Sequence, residues 1–347
     1  MSARYRAMLL AIFLVTQLGA LLGCLGCSAP RSAPSSAPPA APIGADTPRR
    51  DGVDAVLVFL PASPATRQAW QSLRDELGDS FDVVTREVSE GSTEADLARE
   101  IQAVKPRCLM LLGNSTSNLY LKYQQAHAGP FLPAVVLMTS FFEQQYPLFR
   151  NVTGVSYEVP GITTFVNLRT FVYRPIQRVG VLHRQLFRTY VEEQARLAKL
   201  EQVQLVPIEM SRSPGPHEIR KGLDRLIHDE QVDAVWVLND NVLLKPELIA
   251  KGWLKVLHKS PIAVVVGVGS LVDARLHFGS FAMLPDHSAL GVQASNLVFR
   301  LREEGWDART MPPELPLSIQ SVVDLGWTRS HLQFREDAID RIDRIVE

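Results

Sequence analysis

From residue 53 onward the chain alternates short apolar runs with segments whose apolar positions recur at helical spacing. Residues 53–60 read as a buried strand closed by Pro61, and 66–77 follow as a helix with Trp70, Leu73 and Leu77 on one face. Residues 81–88 form a second strand pattern and 94–104 a second helix, which stops before Pro106. Strands at 108–112 and 134–138 flank a helix at 118–126. After Pro175 the rhythm resumes, with strands at 179–182, 203–208, 234–238 and 262–266 and helices at 190–200, 217–228 and 246–258 between them. Runs without polar alternation, separated by helices, predict parallel sheets covered on both faces. Two such series joined near 156–165 predict an α/β chain of two doubly wound, Rossmann-like lobes.

The N-terminus follows a different pattern. Arg4 and Arg6 precede an almost unbroken apolar stretch over 7–22, which ends in small residues instead of a stop-transfer charge. That is the form of a cleaved export signal, and the stretch is short for a full membrane span. The competing reading is an ordinary N-terminal anchor. Leu21-Leu22-Gly23-Cys24 resembles the lipobox of bacterial lipoproteins, which implies acylation of Cys24 at a new N-terminus; Cys27, also after a glycine, is the second candidate. Residues 1–23 are thus expected to be a signal and 24–51 a tether. Ser, Ala and Pro dominate 28–51, too little apolar matter to offset the entropy of ordering it. Both features place the folded part in the cell envelope, held to a membrane and facing the periplasm or the exterior.

Composition narrows the function. The chain is 46% hydrophobic and 21% charged with a formal charge of −1, and loss of Arg4 and Arg6 would make it −3. No basic excess is available for general nucleic-acid binding. Of three cysteines, only Cys108 belongs to the folded part, so no disulfide within it is expected, and its apolar neighbours predict a buried, inert thiol.

In open α/β sheets ligands sit beyond the carboxyl ends of the strands. Those ends offer Ser63, Asn114, Ser115, Thr139, Ser140, Ser156, His183, Asp240, Asn241 and Gly269, small or hydrogen-bonding residues with little charge. Together they predict a cleft that recognises a small polar ligand, although Ser, Asn and Gly also gather at turns and helix caps. His183 reads as a ligand contact or an exposed loop residue. Glu143 could meet a ligand ammonium or a helix N-terminus, and Phe141 and Tyr157 could stack on an aromatic ligand or pack at a hinge. Asp240 is the expected partner for a ligand ammonium, with its exchange for Asn weakening binding and leaving stability alone.

Asn151-Val-Thr-Gly-Val-Ser156, a helix to Pro175, and Arg178-Val-Gly-Val-Leu182 resemble a passage of the ABC-transporter solute-binding lipoproteins related to tryptophan- and tyrosine-binding proteins. Asp240-Asn241, the strand from Pro261, the helix 286–301 and Val322-Val-Asp-Leu325 are similar to further stretches of that family. The resemblance runs in order over about 52–335. It implies the type I periplasmic-binding (Venus-flytrap) fold, an amino-acid-like ligand and a partner permease in the membrane. It also implies a first lobe of 52–156 plus 285–312 and a second of 157–284 plus 313–347, with crossings near Ser156, Leu284 and Pro313. Val242 and Asp324 stand where the family has Thr and Asn, and the first strand ends without the His-Pro of many members. These departures motivate the alternative of a ligand sensor or structural envelope lipoprotein on the same fold.

An enzyme is not expected. There is no Gly-x-Ser-x-Gly elbow, Walker loop or His-Glu-x-x-His, and Gly267-Val-Gly269-Ser270 lacks the third glycine of a dinucleotide fingerprint. His217, His228, His258 and His277 show no metal-ligand spacing, so neither cofactor nor metal is expected.

Overall fold

The computed structural model describes residues 50–347. The apolar runs form two sheets. The first holds β1 (Ala55–Leu60), β2 (Asp82–Glu87), β3 (Cys108–Leu112), β4 (Ala134–Leu137) and β5 (Val152–Gly154), in the order β2-β1-β3-β4-β5 and parallel throughout. The second holds β6 (Arg178–Arg184), β7 (Gln204–Met210), β8 (Ala234–Val237), β9 (Ala263–Val266), β10 (Phe281–Pro285), β11 (Ile319–Asp324) and β12 (Arg344–Val346), in the order β12-β11-β10-β9-β8-β6-β7. Each has a switch point where strand order reverses, beside β1 in one and β6 in the other. The two α/β layers are the doubly wound lobes the sequence predicts.

Helices cover both faces. On the first sheet Val56, Val58 and Leu60 face one core with Trp70 and Leu73, while Leu57 and Phe59 face the other with Leu97 and Tyr120. The helices are α1 (Pro64–Leu77), α2 (Glu94–Val104), α3 (Asn114–Ala126) and the short α4 (Phe142–Gln145). Ser63 caps α1, and Thr93 with Asp96 forms a capping box on α2. Around the second sheet lie α5 (Gly161–Phe171), α6 (Arg188–Ala198) and α7 (Pro216–Asp224). The long α8 (His287–Glu303) follows β10 but packs on α1 of the first sheet, and α9 (Leu325–His331) follows β11. A Cβ at Gly291 would collide with the Ala69 carbonyl oxygen, so glycine sets how closely α8 approaches.

Three segments therefore pass between the sheets, and they are bonded together. Ser156 N donates to Glu314 O at 2.8 Å, Glu314 N to Gly154 O at 2.9 Å, and Asp286 N to Ser318 O at 3.0 Å.

Several sequence expectations are corrected. β10 and β11 are antiparallel, because β10 leaves the second sheet for α8 and β11 re-enters from the same end. The helix expected at 118–126 begins at Asn114, where Gly113 (φ 89°) turns the chain and accepts the Thr116 hydroxyl. The helices expected over 217–228 and 246–258 contain π-helical turns at Arg225–Asp229 and Ile249–Trp253. Arg50, assigned to the tether, is bound into the fold through Asp82 and the Phe81 carbonyl. The rest of the tether, the signal and Cys24 lie outside the described residues. Cys108 is buried, and burial pushes its thiol well above the usual range. No helix of the described residues is long and apolar enough to cross a membrane.

Candidate functional site

A narrow cavity lies at the carboxyl ends of β8 and β9 of the second sheet, and Phe141, from the turn after β4 of the first sheet, closes one wall of it. Its polar lining is Glu158, Asn239, Tyr190 and Thr164, whose hydroxyl donates to the Pro160 carbonyl at 3.3 Å, and its apolar walls include Phe141, Trp236 and Met283. About 340 Å³ is empty, part of it open to solvent, and its centre leaves room for little more than water-sized groups. The lobes are thus close together at this point.

Each group is held from a different element. Glu158 lies in the crossing segment after β5, where its Oε2 accepts the Phe141 amide at 2.7 Å and its Oε1 the Asn239 amide nitrogen at 3.5 Å. Asn239 follows β8, and Gly267 follows β9 beside it. A Cβ at 267 would stand 2.7 Å from Asn239 Oδ1, so glycine there makes room for the Asn239 amide. Phe141 has left-handed backbone (φ 54°, ψ 40°), uncommon for a bulky residue. That conformation turns its ring away from the first sheet onto Phe187 and Tyr190, at centroid distances of 4.3 and 5.2 Å. Tyr190 in turn lies 6.1 Å from Trp236.

Two buried polar atoms in this lining, Tyr190 Oη and Asn239 Oδ1, have no partner in the protein. Buried polar atoms are nearly always paired with protein or water, so these two call for a partner from outside the chain, a water or a ligand group. Burial raises the Glu158 carboxyl to about 7, with the Glu143 charge adding to the effect. Burial also raises the Tyr190 phenol well above its usual range, helped by the charges of Glu158 and Glu143. A cleft residue displaced in this way is a functional candidate. Among the described residues, no group of three or more His, Cys, Asp or Glu could hold a metal ion.

None of the ligand residues expected from the sequence lines the cavity; their chain neighbours do. Ser63 is spent on capping α1 and on a 2.7 Å bond with the Thr66 hydroxyl. Asn114 and Ser140 are brought together, Asn114 Oδ1 accepting the Ser140 amide at 2.8 Å, and Ser115 is exposed beside them. Thr139 is fully buried and its hydroxyl is bonded to Ser117. Ser156 is buried and donates to Glu143 Oε1 at 2.9 Å, which also answers what Glu143 meets. His183 is not an exposed loop residue, because β6 runs on to Arg184 and buries it, and it does not line the cavity.

Asp240 is paired within the chain. Its two carboxylate oxygens take Arg184 Nε and Nη2 at 2.6 and 2.8 Å, and Oδ1 also accepts the Val242 amide. The cation expected from a ligand is supplied by the chain itself. Asn241 is exposed, and Gly269 opens a short 3₁₀ turn. Tyr157 stacks on His287 and bonds it at 3.0 Å within the crossings, as the packing alternative had it, whereas Phe141 reaches the cavity. Asp324 caps α9 and bonds His277 at 2.7 Å. Sequence reasoning missed Glu158, Tyr190 and Trp236. A lone acid in the otherwise uncharged stretch 155–160 was the available signal for the first; the other two read only as core.

No family model matches this chain, and no curated protein matches it in sequence. Solved structures do resemble it in fold. A substrate-binding protein with adhesive properties from Clostridium difficile, in a ligand-free, open state, superposes with a TM-score of 0.64 at 13% identity, covering 85% of this chain and 99% of that one. An ABC domain from Streptococcus pneumonia in complex with L-Trp gives 0.55 at 15% identity, covering 84% and 100%. A conserved domain protein from Vibrio cholerae gives 0.57 at 16% identity, covering 84% and 99%. The fold is that of type I periplasmic binding proteins, the architecture implied by the sequence resemblance.

Proposed function

We propose that the chain is the extracytoplasmic solute-binding lipoprotein of an ABC importer, tethered through Cys24, which takes a small polar molecule between two lobes and closes on it. The lobes would be 52–156 with 285–312, and 157–284 with 313–347, moving about the bonded crossings. The observation that supports this reading best is the pair of unpartnered atoms, Tyr190 Oη and Asn239 Oδ1, in a cavity at the strand ends of the second sheet that Phe141 of the first lobe closes. Ligand contacts shared by both sides favour the closed state, which a permease can then read. Asn114 and Ser140 stand at the strand ends of the first lobe and would receive the part of the ligand that extends from the cavity.

A thermal-shift screen of the purified protein against amino acids, amines, nucleosides and sugars tests the reading. A ligand at a hundred times its dissociation constant should stabilise the protein by about 2.7 kcal/mol. If no small molecule shifts the transition, the solute-binding reading fails. The departures at Val242 and Asp324, the latter engaged by His277, favour a second reading in which the same cleft serves a sensor or an envelope complex. Uptake of the identified solute by cells lacking this protein separates the two: unchanged uptake favours the second.

A further inference from the structure

We propose that the molecule this cleft is built for presents a primary ammonium group without a neighbouring carboxylate, held by Glu158 together with Asn239 Oδ1 and Tyr190 Oη. The inference rests on the solute-binding reading and specifies its ligand class.

The polar atoms of the cavity decide the head group. Glu158 offers carboxylate oxygens, Asn239 Oδ1 is an acceptor with no donor, and the Tyr190 hydroxyl can accept a further bond. An R–NH₃⁺ group has three N–H donors for these three acceptors. A quaternary ammonium has none and would leave Asn239 Oδ1 unpaired. A neutral alcohol offers one donor and no charge. An anion has no counterpart here: no Lys or Arg lines the cavity, and Arg184, beside Asn239–Asp240, is held by both Asp240 oxygens. Phe141, Tyr190 and Trp236 form the walls, apolar surfaces whose ring faces also favour a cation. Gly267 belongs to the same design, since any side chain there would displace the Asn239 amide.

Binding of such a group is coupled to a proton. The groups facing Glu158 are Glu143, Tyr157 and Tyr190, together with the mutually neutralised Arg184–Asp240 pair next to Asn239. None of these supplies a free positive charge, and the Glu158 carboxyl is raised to about 7, so at mildly acidic pH it is mostly protonated. An arriving ammonium stabilises the carboxylate, and the Glu158 proton leaves to solvent. Affinity therefore rises as pH increases toward about 7 and levels off above it.

The test uses one hydrocarbon body with different heads: phenethylamine, 2-phenylethanol, phenylacetate, trimethyl(phenethyl)ammonium and L-phenylalanine. Isothermal titration calorimetry on the whole protein should rank phenethylamine first. In buffers of different ionisation enthalpy it should release roughly one proton at pH 6 and close to none at pH 8.5. Glu158→Gln keeps an acceptor for the Phe141 amide, so the variant should fold. It should lose phenethylamine affinity by on the order of a hundredfold and show no pH dependence over that range. The ammonium assignment is overturned if the alcohol, the acid or the quaternary amine binds as well as phenethylamine, or if phenethylamine gives neither heat nor a thermal shift. It is also overturned if Glu158→Gln binds as the wild type does. In each case the solute-binding reading is judged separately by the wider metabolite screen, so the two failures are distinguishable.

Discussion

A carboxyl group removed from water either finds a cation or keeps its proton, and this chain does each once at the same cleft. Asp240 takes the first course with Arg184, and its side chain is only 1% exposed. Removing one partner of such a pair strands the other charge, at about 3–5 kcal/mol for a fully buried pair. Arg184 is 14% exposed, so Asp240→Asn should lower stability by about 2–3 kcal/mol in urea denaturation. An unchanged midpoint would mean the pair contributes nothing. Glu158 takes the second course. Its carboxyl is raised from 4.5 to about 7, so the folded protein holds a proton that the unfolded chain releases. The resulting stability is fully present below about 4.5 and is lost as pH rises through 7. Between pH 5 and 8 the wild type should therefore lose on the order of 2–3 kcal/mol that Glu158→Gln does not. Melting curves of both proteins at the two pH values check this. Position at a strand end was legible for Asp240, but its cation was not, since Arg184 is 56 residues away in sequence. Glu158 was illegible for a related reason: its environment comes from Phe141 and Asn239, brought in by two other loops.

At the scale of elements, legibility followed pattern length. The helix expected over 94–104 and the strand over 108–112 match α2 and β3 residue for residue, because an uninterrupted period is closed at each end by a cap or a proline. β5 and β12 have three residues each and carry no period to detect. The polar start of α3, Asn-Ser-Thr-Ser, resembles a loop until the Gly113 turn and its hydroxyl bonds are seen. Position in an element also set the burial of two expected residues: β6 runs two residues past the expected strand end and buries His183, and Thr139 lies in the interior of the lobe. The contact of α8 with α1 offers the clearest test at this scale. Gly291 lies against the Ala69 carbonyl and the Leu73 amide, backbone atoms that cannot rotate away. Gly291→Ala should therefore force the helices apart and destabilise by about 1–3 kcal/mol, the usual range for overpacking. Were stability unchanged despite the better helix propensity of alanine, the close approach would be looser than described.

The whole molecule is joined across its cleft as well as at its crossings, and Phe141 is the joint. It follows the last cleft-facing turn after β4, yet its ring belongs to the core of the second sheet, among Phe187, Tyr190 and Trp236. The left-handed backbone that delivers it costs on the order of 1 kcal/mol or more for a non-glycine residue, which the burial of the ring offsets. An aromatic group from the first sheet's side is thus seated in the second sheet's core, with the Glu158 carboxyl accepting from Phe141 on one side and Asn239 on the other. Phe141→Ala removes the seated ring and leaves the first sheet's own cores intact, since the ring packs in neither of them. The free protein should then shift toward an open state, read as a larger radius of gyration in small-angle scattering and faster amide exchange around 138–143 and 185–190. A variant that stays as compact as the wild type would show that the bonded crossings alone hold the lobes, and that Phe141 only lines the cavity.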